Sequence, residues 1–175
     1  MINTERLCLS PFSLEDDAFI LRLLNEPSFI KNIADRGVRT LEDARAYLSN
    51  GPIASYAANG FGLWRVSMRE RGQPIGMCGL IRRKGLADVD LGYALLPEYT
   101  GHGYAVEAAR AALNYGRAKL SLARIIAVVS QTNARSARVL GKLGFVRDGF
   151  IQLPGDSEDL LLFASTAPEV DNRVL

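Results

Sequence analysis

The sequence contains few of the residues that hold metals or act as nucleophiles. Among its 175 residues are two cysteines, Cys8 and Cys78, and one histidine, His102. This scarcity excludes a Cys/His zinc site and leaves one histidine for any Ser-His-Asp arrangement. Both cysteines lie within apolar strand patterns, so we expect core side chains there rather than acyl-carrying nucleophiles. We also expect a reducing, cytoplasmic setting and no bound metal.

An excess of charge of either sign is also absent. The 21 basic side chains nearly balance the 19 acidic ones, which gives a net charge of +2. A protein that binds nucleic acid through a basic face needs a larger positive excess, so we expect no nucleic-acid partner.

The sequence has no long apolar run. Its longest uncharged stretch, residues 46–64, contains several glycine, proline and polar residues, whereas a membrane-spanning helix needs about 20 mostly apolar residues. We predict that this stretch is a loop leading into a strand. The first six residues lack the basic-then-apolar order of a signal peptide, and we expect no membrane association.

The remaining composition and periodicity are typical of one globular domain. The chain is 48% hydrophobic and 23% charged, and we assign residues 1–175 to a single domain with a frayed tail from about residue 168. Apolar and β-branched runs predict strands over 7–12, 61–66, 74–81, 89–96, 125–129, 146–151 and 160–164. Helical spacing predicts four helices: 13–27, 40–48, an alanine-rich one ending near 119, and 133–143. Pro27 and Asn50-Gly51-Pro52 are expected to end the first two.

A glycine-containing turn is the most informative segment. The strand that ends before Pro97 is followed by Gly101-His102-Gly103 and then directly by a helix. Glycine allows a ligand to approach the backbone closely, and the first amides of a helix have no partner within it, so such a turn can bind phosphate. The turn lacks the lysine of a P-loop and the third glycine of a dinucleotide fingerprint. By itself the pattern leaves both an anion site and a plain tight turn open.

Several segments together resemble one family. Gly101-His102-Gly103-Tyr104-Ala105 is similar to the pyrophosphate loop of the GNAT N-acetyltransferases, in particular of the branch that resembles ribosomal-protein N-terminal acetyltransferases. Thr4-Glu5-Arg6-Leu7, Asn133-Ala134-Arg135-Ser136 and Leu143-Gly144-Phe145 resemble other segments of that branch in the same order. The resemblance extends from Thr4 to about Ala164.

The resemblance implies a fold and a co-substrate. The fold is α/β (α+β): a mixed, mostly antiparallel twisted sheet, splayed at a bulged central strand and flanked by about four helices. Acetyl-CoA would lie in the opening, its pantetheine arm along the backbone of the strand end and its pyrophosphate on the amides of the turn. The cofactor-binding residues implied in this way are Ala94, Leu95, Leu96, Gly101, His102, Gly103, Tyr104, Ala105, Asn133 and Ser136. His102 is better explained as an exposed loop residue near phosphate than as a catalyst.

Asn133 and Ser136 lie one helical turn apart and share a face. Spacing alone is equally consistent with Asn133 as a helix cap and Ser136 as ordinary first-turn polarity. The resemblance implies that Asn133 also hydrogen-bonds the pantetheine, and that Ser136 lies near the sulfur, where it is our candidate to protonate the leaving thiolate. These roles are compatible with capping.

No titratable side chain occupies the positions at which the resemblance would place the base and the acid. Many relatives carry a glutamate and a tyrosine at positions that hold Val128 and Leu140 here. We select Asp90, two residues before Gly92, as the candidate base, with a surface or edge-strand charge as the alternative. Glu158 and Asp159 are weaker candidates, and an acceptor amine that is already partly neutral would need no base.

The resemblance implies an N-acetyltransferase that moves the acetyl group of acetyl-CoA to a primary amine by direct attack in a ternary complex. The acceptor would be a protein N-terminus or a small amine. The acceptor region would include Phe29, Arg36, Arg39 and Tyr47; it has no acidic stripe suited to a polyamine, which favours a neutral or peptide acceptor. A catalytically inactive acyl-CoA sensor and a nucleotide-binding regulator stay open as alternatives, as do the monomer and the homodimer.

Overall fold

The computed structural model describes residues 1–154 and 158–166, so the predicted frayed tail lies outside the described residues. The strands are β1 Ile2–Asn3, β2 Leu7–Ser10, β3 Leu63–Met68, β4 Pro74–Ile81, β5 Val89–Leu95, β6 Arg124–Val129, β7 Val146–Ile151 and β8 Leu160–Thr166. The α-helices are α1 Asp17–Leu24, α2 Pro27–Asn32, α3 Leu41–Leu48, α4 Ala54–Asn59, α5 Tyr104–Leu120 and α6 Ala134–Lys142. Within this described part, no helix is both long and apolar enough to cross a membrane.

All the described strands join one sheet in the order β1-β2-β3-β4-β5-β6-β8-β7. Neighbouring strands are antiparallel except for β5 and β6, which are parallel. A parallel pair needs a crossover, and the long helix α5 supplies it. The mixed, mostly antiparallel sheet predicted from the resemblance is therefore confirmed.

The sheet divides between β5 and β6. These two strands pair only at Val89 with Ile125 and at Asp90 with Ile126, although both continue beyond that point. The register of β5 against β4 is unbroken from Ile81–Asp90 to Gly76–Leu95. The expected bulge in the central strand is therefore not found in its pairing with β4. The opening arises because β5 and β6 stop pairing.

The helices are more numerous than the four predicted. Pro27, expected to end the first helix, is instead the first residue of α2, where a missing amide hydrogen costs nothing. Asn50-Gly51-Pro52 lies in a π-helical turn, Ser49–Ile53, which connects α3 to α4. The predicted loop over 46–64 is therefore helical as far as Asn59, and Gly60, at φ +75°, ends α4.

Two apolar clusters lie on opposite sides of the sheet. The larger one packs α5 against the strands through small side chains, among them the buried Ala108, Ala109 and Ala112. The other is formed by α1, α2 and α3 and includes Leu23, Phe29 and Leu48. Because α5 begins directly after the glycine turn and packs on β4 and β5, the fold holds that turn beside the divided strands.

Candidate functional site

The divided sheet forms two clefts that meet. The first, which we call the loop cleft, has a volume of about 430 Å³ and lies between the end of β5, the glycine turn and α6. The second, the wide cleft, has a volume of about 710 Å³ and lies beneath α2, α3 and the segment after β4. Six residues line both clefts: Phe29, Asn32, Ile33, Tyr93, Asn133 and Ser136.

The glycine turn gives the loop cleft a row of amide donors. Gly101 and Gly103 have φ angles of +90° and +83°, in the left-handed region that favours glycine. Among the described residues, the amides from Gly101 to Val106 have no hydrogen-bond acceptor; the first helical bond of α5 is donated by Glu107 to Gly103. Unpaired amides at the positive end of a 17-residue helix favour an anion such as pyrophosphate.

An ion-paired arginine holds this turn in place. The Arg6 guanidinium donates to the carbonyl oxygen of His102 (3.1 Å) and to the Glu107 carboxylate (2.7 Å). Glu107 also accepts from the Thr4 hydroxyl (2.6 Å) and the Arg6 amide (2.9 Å), and Arg6 lies 4.6 Å from the centre of the Tyr104 ring. The segment before β2 thus fixes both sides of the turn. We refer to Thr4, Arg6 and Glu107 as the latch.

Beside the turn, the last residues of β5 present free backbone groups to the opening. The Leu96 amide donates to the Ile75 carbonyl (2.9 Å), and hydrogen-bonded pairs alternate along an antiparallel ladder. The backbone of Ala94 therefore faces β4, whereas the amide and carbonyl groups of Tyr93 and Leu95 face the gap.

Leu96 differs from the sequence-based expectation. It lines neither cleft and is 2% exposed, and its carbonyl already accepts from the Tyr99 amide (3.0 Å). Ala94 and Leu95 do line the loop cleft. The strand end is thus available to a ligand mainly through Leu95.

Helix α6 places the two predicted polar residues at the meeting point of the clefts. The Asn133 side chain accepts from the Ser136 amide (3.0 Å), so it caps the helix as the sequence suggested. The Ser136 hydroxyl has no hydrogen-bond partner among the described residues, and Ser136 lines both clefts.

Tyr93, to which the sequence analysis assigned no role, connects β5 to α6. Its hydroxyl donates to the Ser136 carbonyl oxygen (3.2 Å), and burial raises the pKa of this phenol to about 12. It therefore stays protonated. The sequence signal that could have identified Tyr93 is its position on the strand that leads into the glycine turn.

Asp90 lies where β5 and β6 part, and it is neither a surface nor an edge-strand charge. It is 1% exposed, and its carboxylate is paired with Arg83 and accepts from the Val128 amide (3.3 Å). Burial raises the pKa of Asp90, and the Arg83 charge opposes that rise. The residue lines neither cleft.

The other predicted site residues divide into those that line a cleft and those that do not. Gly101, Gly103, Tyr104 and Ala105 line the loop cleft, whereas His102 is exposed outside it, with its ring centre 5.8 Å from that of Tyr104. Glu158 lines the wide cleft and Asp159 does not.

The charged side chains that line the wide cleft are mainly basic. Lys31, Arg36, Arg83 and Lys84 line it, together with the carboxylate of Glu158. Phe29 and Tyr47, expected in the acceptor region, also line it, whereas Arg39 pairs with Asp35 instead. Within the described ranges, no group of three or more His, Cys, Asp and Glu residues could hold a metal ion.

Comparison with known proteins gives one consistent result. Residues 6–146 match the family described as the acetyltransferase (GNAT) domain. An uncharacterised N-acetyltransferase of Bacillus subtilis, YnaD, is 31% identical over 151 residues, which cover 86% of this chain and 85% of that protein.

Solved structures have the same fold. The crystal structure of an acetyltransferase from Agrobacterium tumefaciens is 26% identical, with a TM-score of 0.81 and coverage of 95% of this chain and 94% of that one. RimL, a ribosomal L7/L12 α-N-protein acetyltransferase in complex with coenzyme A, has a TM-score of 0.80 over 93% of this chain and 95% of its own, at 15% identity. At that identity the likeness shows the fold alone.

Proposed function

The chain belongs to the acetyltransferase (GNAT) family, and on that premise we propose how it carries out acetyl transfer. It is an N-acetyltransferase with acetyl-CoA as its co-substrate. We assign acetyl-CoA to the loop cleft and the amine acceptor, a peptide N-terminus or a small amine, to the wide cleft. The observation that supports this arrangement is that the two clefts share the lining residues Tyr93, Asn133 and Ser136, where thioester and amine would meet.

The loop cleft fits the phosphate and pantetheine parts of acetyl-CoA. The unpaired amides from Gly101 to Val106 supply donors for the pyrophosphate oxygens. The free backbone groups of Leu95 would pair with the amides of the pantetheine arm as a neighbouring strand would. Asn133, on the opposite wall of the cleft, would hydrogen-bond the arm while it caps α6.

In the transfer, the neutral acceptor amine attacks the thioester carbonyl. A C–N bond forms and the C–S bond breaks. The amine loses one proton to a base or to water, and the departing sulfur takes up one proton. The amide of Tyr93 or Leu95 would donate to the oxygen that becomes negatively charged during attack. Ser136 would donate to the sulfur, and because a thiol has a pKa of about 8.5, a weak donor suffices.

Asp90 was the sequence-based candidate for the base, and that assignment stays a prediction. Its burial and its pairing with Arg83 support a different role, in which Asp90 fixes Arg83 and the Val128 amide at the point of division. No observation favours the inactive sensor over the enzyme.

The test is a thiol-release assay with acetyl-CoA and a panel of N-terminal peptides and small amines. We expect turnover with at least one amine and formation of the N-acetyl product, identified by mass spectrometry. Binding of acetyl-CoA without turnover of any amine would contradict the proposed function.

A further inference from the structure

We propose that the acceptor carries a carboxylate besides its amine, and that the basic residues of the wide cleft bind this carboxylate. The inference rests on the proposed function, because it assigns the acceptor to that cleft. Two sources share the chemistry: a free amino acid, and a peptide whose first residues after the N-terminus are acidic. The sequence alone had favoured a neutral or peptide acceptor.

The wide cleft differs in charge from the chain as a whole. Across the whole chain, basic and acidic side chains are nearly balanced, at 21 and 19. The described lining of the wide cleft instead has four basic side chains, Lys31, Arg36, Arg83 and Lys84, against one acidic side chain, Glu158. The loop cleft is also bordered by basic residues, which suits phosphate, but the wide cleft lies on the other side of the shared lining residues.

Three of these cations have no carboxylate partner among the residues that the structure describes. Within residues 1–154 and 158–166, no Asp or Glu lies within salt-bridge distance of Lys31, Arg36 or Lys84. Other arginines of the chain do find partners, as Arg39 does with Asp35 and Arg124 does with Asp88 and Asp148. Charge that the fold leaves unpaired around a concave site raises the local concentration of an anionic ligand.

The basic side chains of the wide cleft come from separate segments and converge on it. Arg36 follows α2 and Arg83 follows β4, but both line the wide cleft together with Tyr47. Burial raises the pKa of the Tyr47 phenol, and the two guanidinium groups oppose the rise. Arg83 is in turn fixed by the buried Asp90 carboxylate. Basic groups from two separate segments therefore line one volume, where they can donate charge-assisted hydrogen bonds to a carboxylate.

The positive charge of the wide cleft disfavours polycationic acceptors. A polyamine would place its second ammonium group among Arg36, Arg83 and Lys84, with Glu158 as the one acidic side chain of the described lining. Like charges within one cleft raise the free energy of the complex, so the cleft discriminates by repulsion as well as by attraction.

The experiment compares matched acceptors on the intact protein. The peptides begin Ser-Glu-Glu, Ser-Gln-Gln or Ser-Lys-Lys; the small amines are glutamate, its α-amide and spermidine. We expect kcat/KM for the Glu peptide or for glutamate to exceed that of its Gln or amide counterpart by about tenfold, and this ratio to fall with added salt. The two arms distinguish a peptide acceptor from a free amino acid.

Variants of single basic residues test which side chains produce the preference for an acidic acceptor. Arg36→Gln and Lys84→Gln should each reduce the ratio of kcat/KM for the acidic acceptor to kcat/KM for the neutral acceptor by about three- to fivefold. Arg71→Gln, in the exposed turn between β3 and β4 and outside both clefts, is the matched control. Arg83 is left intact because its loss would leave Asp90 buried without a counter-ion.

A binding measurement separates failure of the inference from failure of the proposed function. Calorimetric titration of the CoA complex with the N-acetylated Glu and Gln peptides and with N-acetylglutamate and its α-amide reports anion binding even if no amine is turned over. Tighter binding of the acidic products, reduced in Arg36→Gln and in Lys84→Gln, supports the inference. Equal or weaker binding of the acidic products, or turnover of spermidine or the Lys peptide at the higher rate, would overturn it.

Discussion

Asp90 is a charged group enclosed at the point where the sheet divides. Its carboxylate accepts a hydrogen bond from the Val128 amide, which has no partner on β5 because β5 and β6 no longer pair at that point. The same carboxylate neutralises part of the Arg83 charge. The carboxylate thus binds the backbone of β6 and also pairs with Arg83, which lines the wide cleft. Ser136 has the opposite surroundings, with a free hydroxyl at the meeting point of the two clefts.

Replacing Asp90 by Asn tests the positioning role against the predicted base. Asn keeps an acceptor for Val128 but removes the ion pair with the partly exposed Arg83; because burial already disfavours the charged form of Asp90, we expect the free energy of unfolding to change by no more than about 1 kcal/mol. We also expect a higher KM for the acceptor, because Arg83 is no longer held. The apparent pKa values of the pH–rate profile should stay the same, since the proton acceptor is elsewhere.

The pH–rate profile decides between the two roles of Asp90. If the acidic limb of kcat/KM moves or disappears in Asp90→Asn while the melting temperature is unchanged, Asp90 acts as the base and the positioning role is refuted.

Ser136→Ala tests the predicted donor to the leaving sulfur. We expect kcat to fall about tenfold, with the Kd for CoA and the melting temperature unchanged, because the hydroxyl has no partner among the described residues. Asn133→Ala is the contrasting variant: it removes the α6 cap and should lower the stability by about 1 kcal/mol and weaken CoA binding. A Ser136 variant with weaker CoA binding and normal kcat would make Ser136 a binding residue.

At the scale of elements, the latch explains how a turn rich in glycine is held in one conformation. Gly101 and Gly103 provide the left-handed backbone but no side-chain contacts of their own. Contacts from outside the two glycines hold the turn. Arg6 donates to the His102 carbonyl oxygen and to the Glu107 carboxylate in the first turn of α5. The acidic residue there also suits the helix dipole.

The latch predicts a pH dependence. Burial raises the pKa of Glu107, but the Thr4 hydroxyl, the Arg6 amide and the Arg6 guanidinium outweigh this and hold the pKa below its ordinary value of 4.5. A lowered folded-state pKa means that the stabilisation is complete at neutral pH and is lost as the pH falls through the folded-state value. Glu107→Gln should therefore unfold at a lower temperature at pH 7, by about 4 °C, and the difference should shrink below pH 4.5.

Glu98→Gln is the matched control for the latch. Glu98 pairs with Arg22 in an ion pair whose side chains are both about half exposed, so its loss should change the melting temperature little. Glu107→Gln should also weaken CoA binding, whereas Glu98→Gln should not. A Glu107 variant with normal CoA affinity and a pH-independent stability difference would show that the latch does not order the turn.

The sequence predicts the bounds of some strands correctly and misses two of the helices. The bounds of β4 and β7 were predicted correctly, because a run such as Pro74–Ile81 is marked by β-branched and apolar residues between turns. Helices α2 and α4 were missed, because Pro27 is as compatible with a helix start as with a helix end. The sequence also predicts that Asn50-Gly51-Pro52 ends a helix, whereas the chain continues through it in a π-helical turn.

At the scale of the whole molecule, the site depends on contacts that no local pattern contains. The glycine turn and the Asn133 cap were predicted from adjacent residues. The cationic groups of the wide cleft come from α2, from the segment before α3 and from the segment after β4, and only the folded sheet brings them together. The enclosure of Asp90 likewise depends on the end of β5–β6 pairing, which is a long-range property.

Two clefts that share one lining predict sequential kinetics. Acetyl-CoA and the amine would occupy the loop cleft and the wide cleft together, so the acetyl group passes directly between them. The described cysteines offer no alternative carrier at the site: Cys78 is fully buried, which raises the pKa of its thiol, and neither Cys8 nor Cys78 lines a cleft. Double-reciprocal plots against acetyl-CoA at several acceptor concentrations should intersect, and Cys8→Ser and Cys78→Ala should each retain turnover. Parallel lines, or an acetylated protein isolated after incubation with acetyl-CoA alone, would instead indicate a covalent intermediate and refute direct transfer across the shared lining.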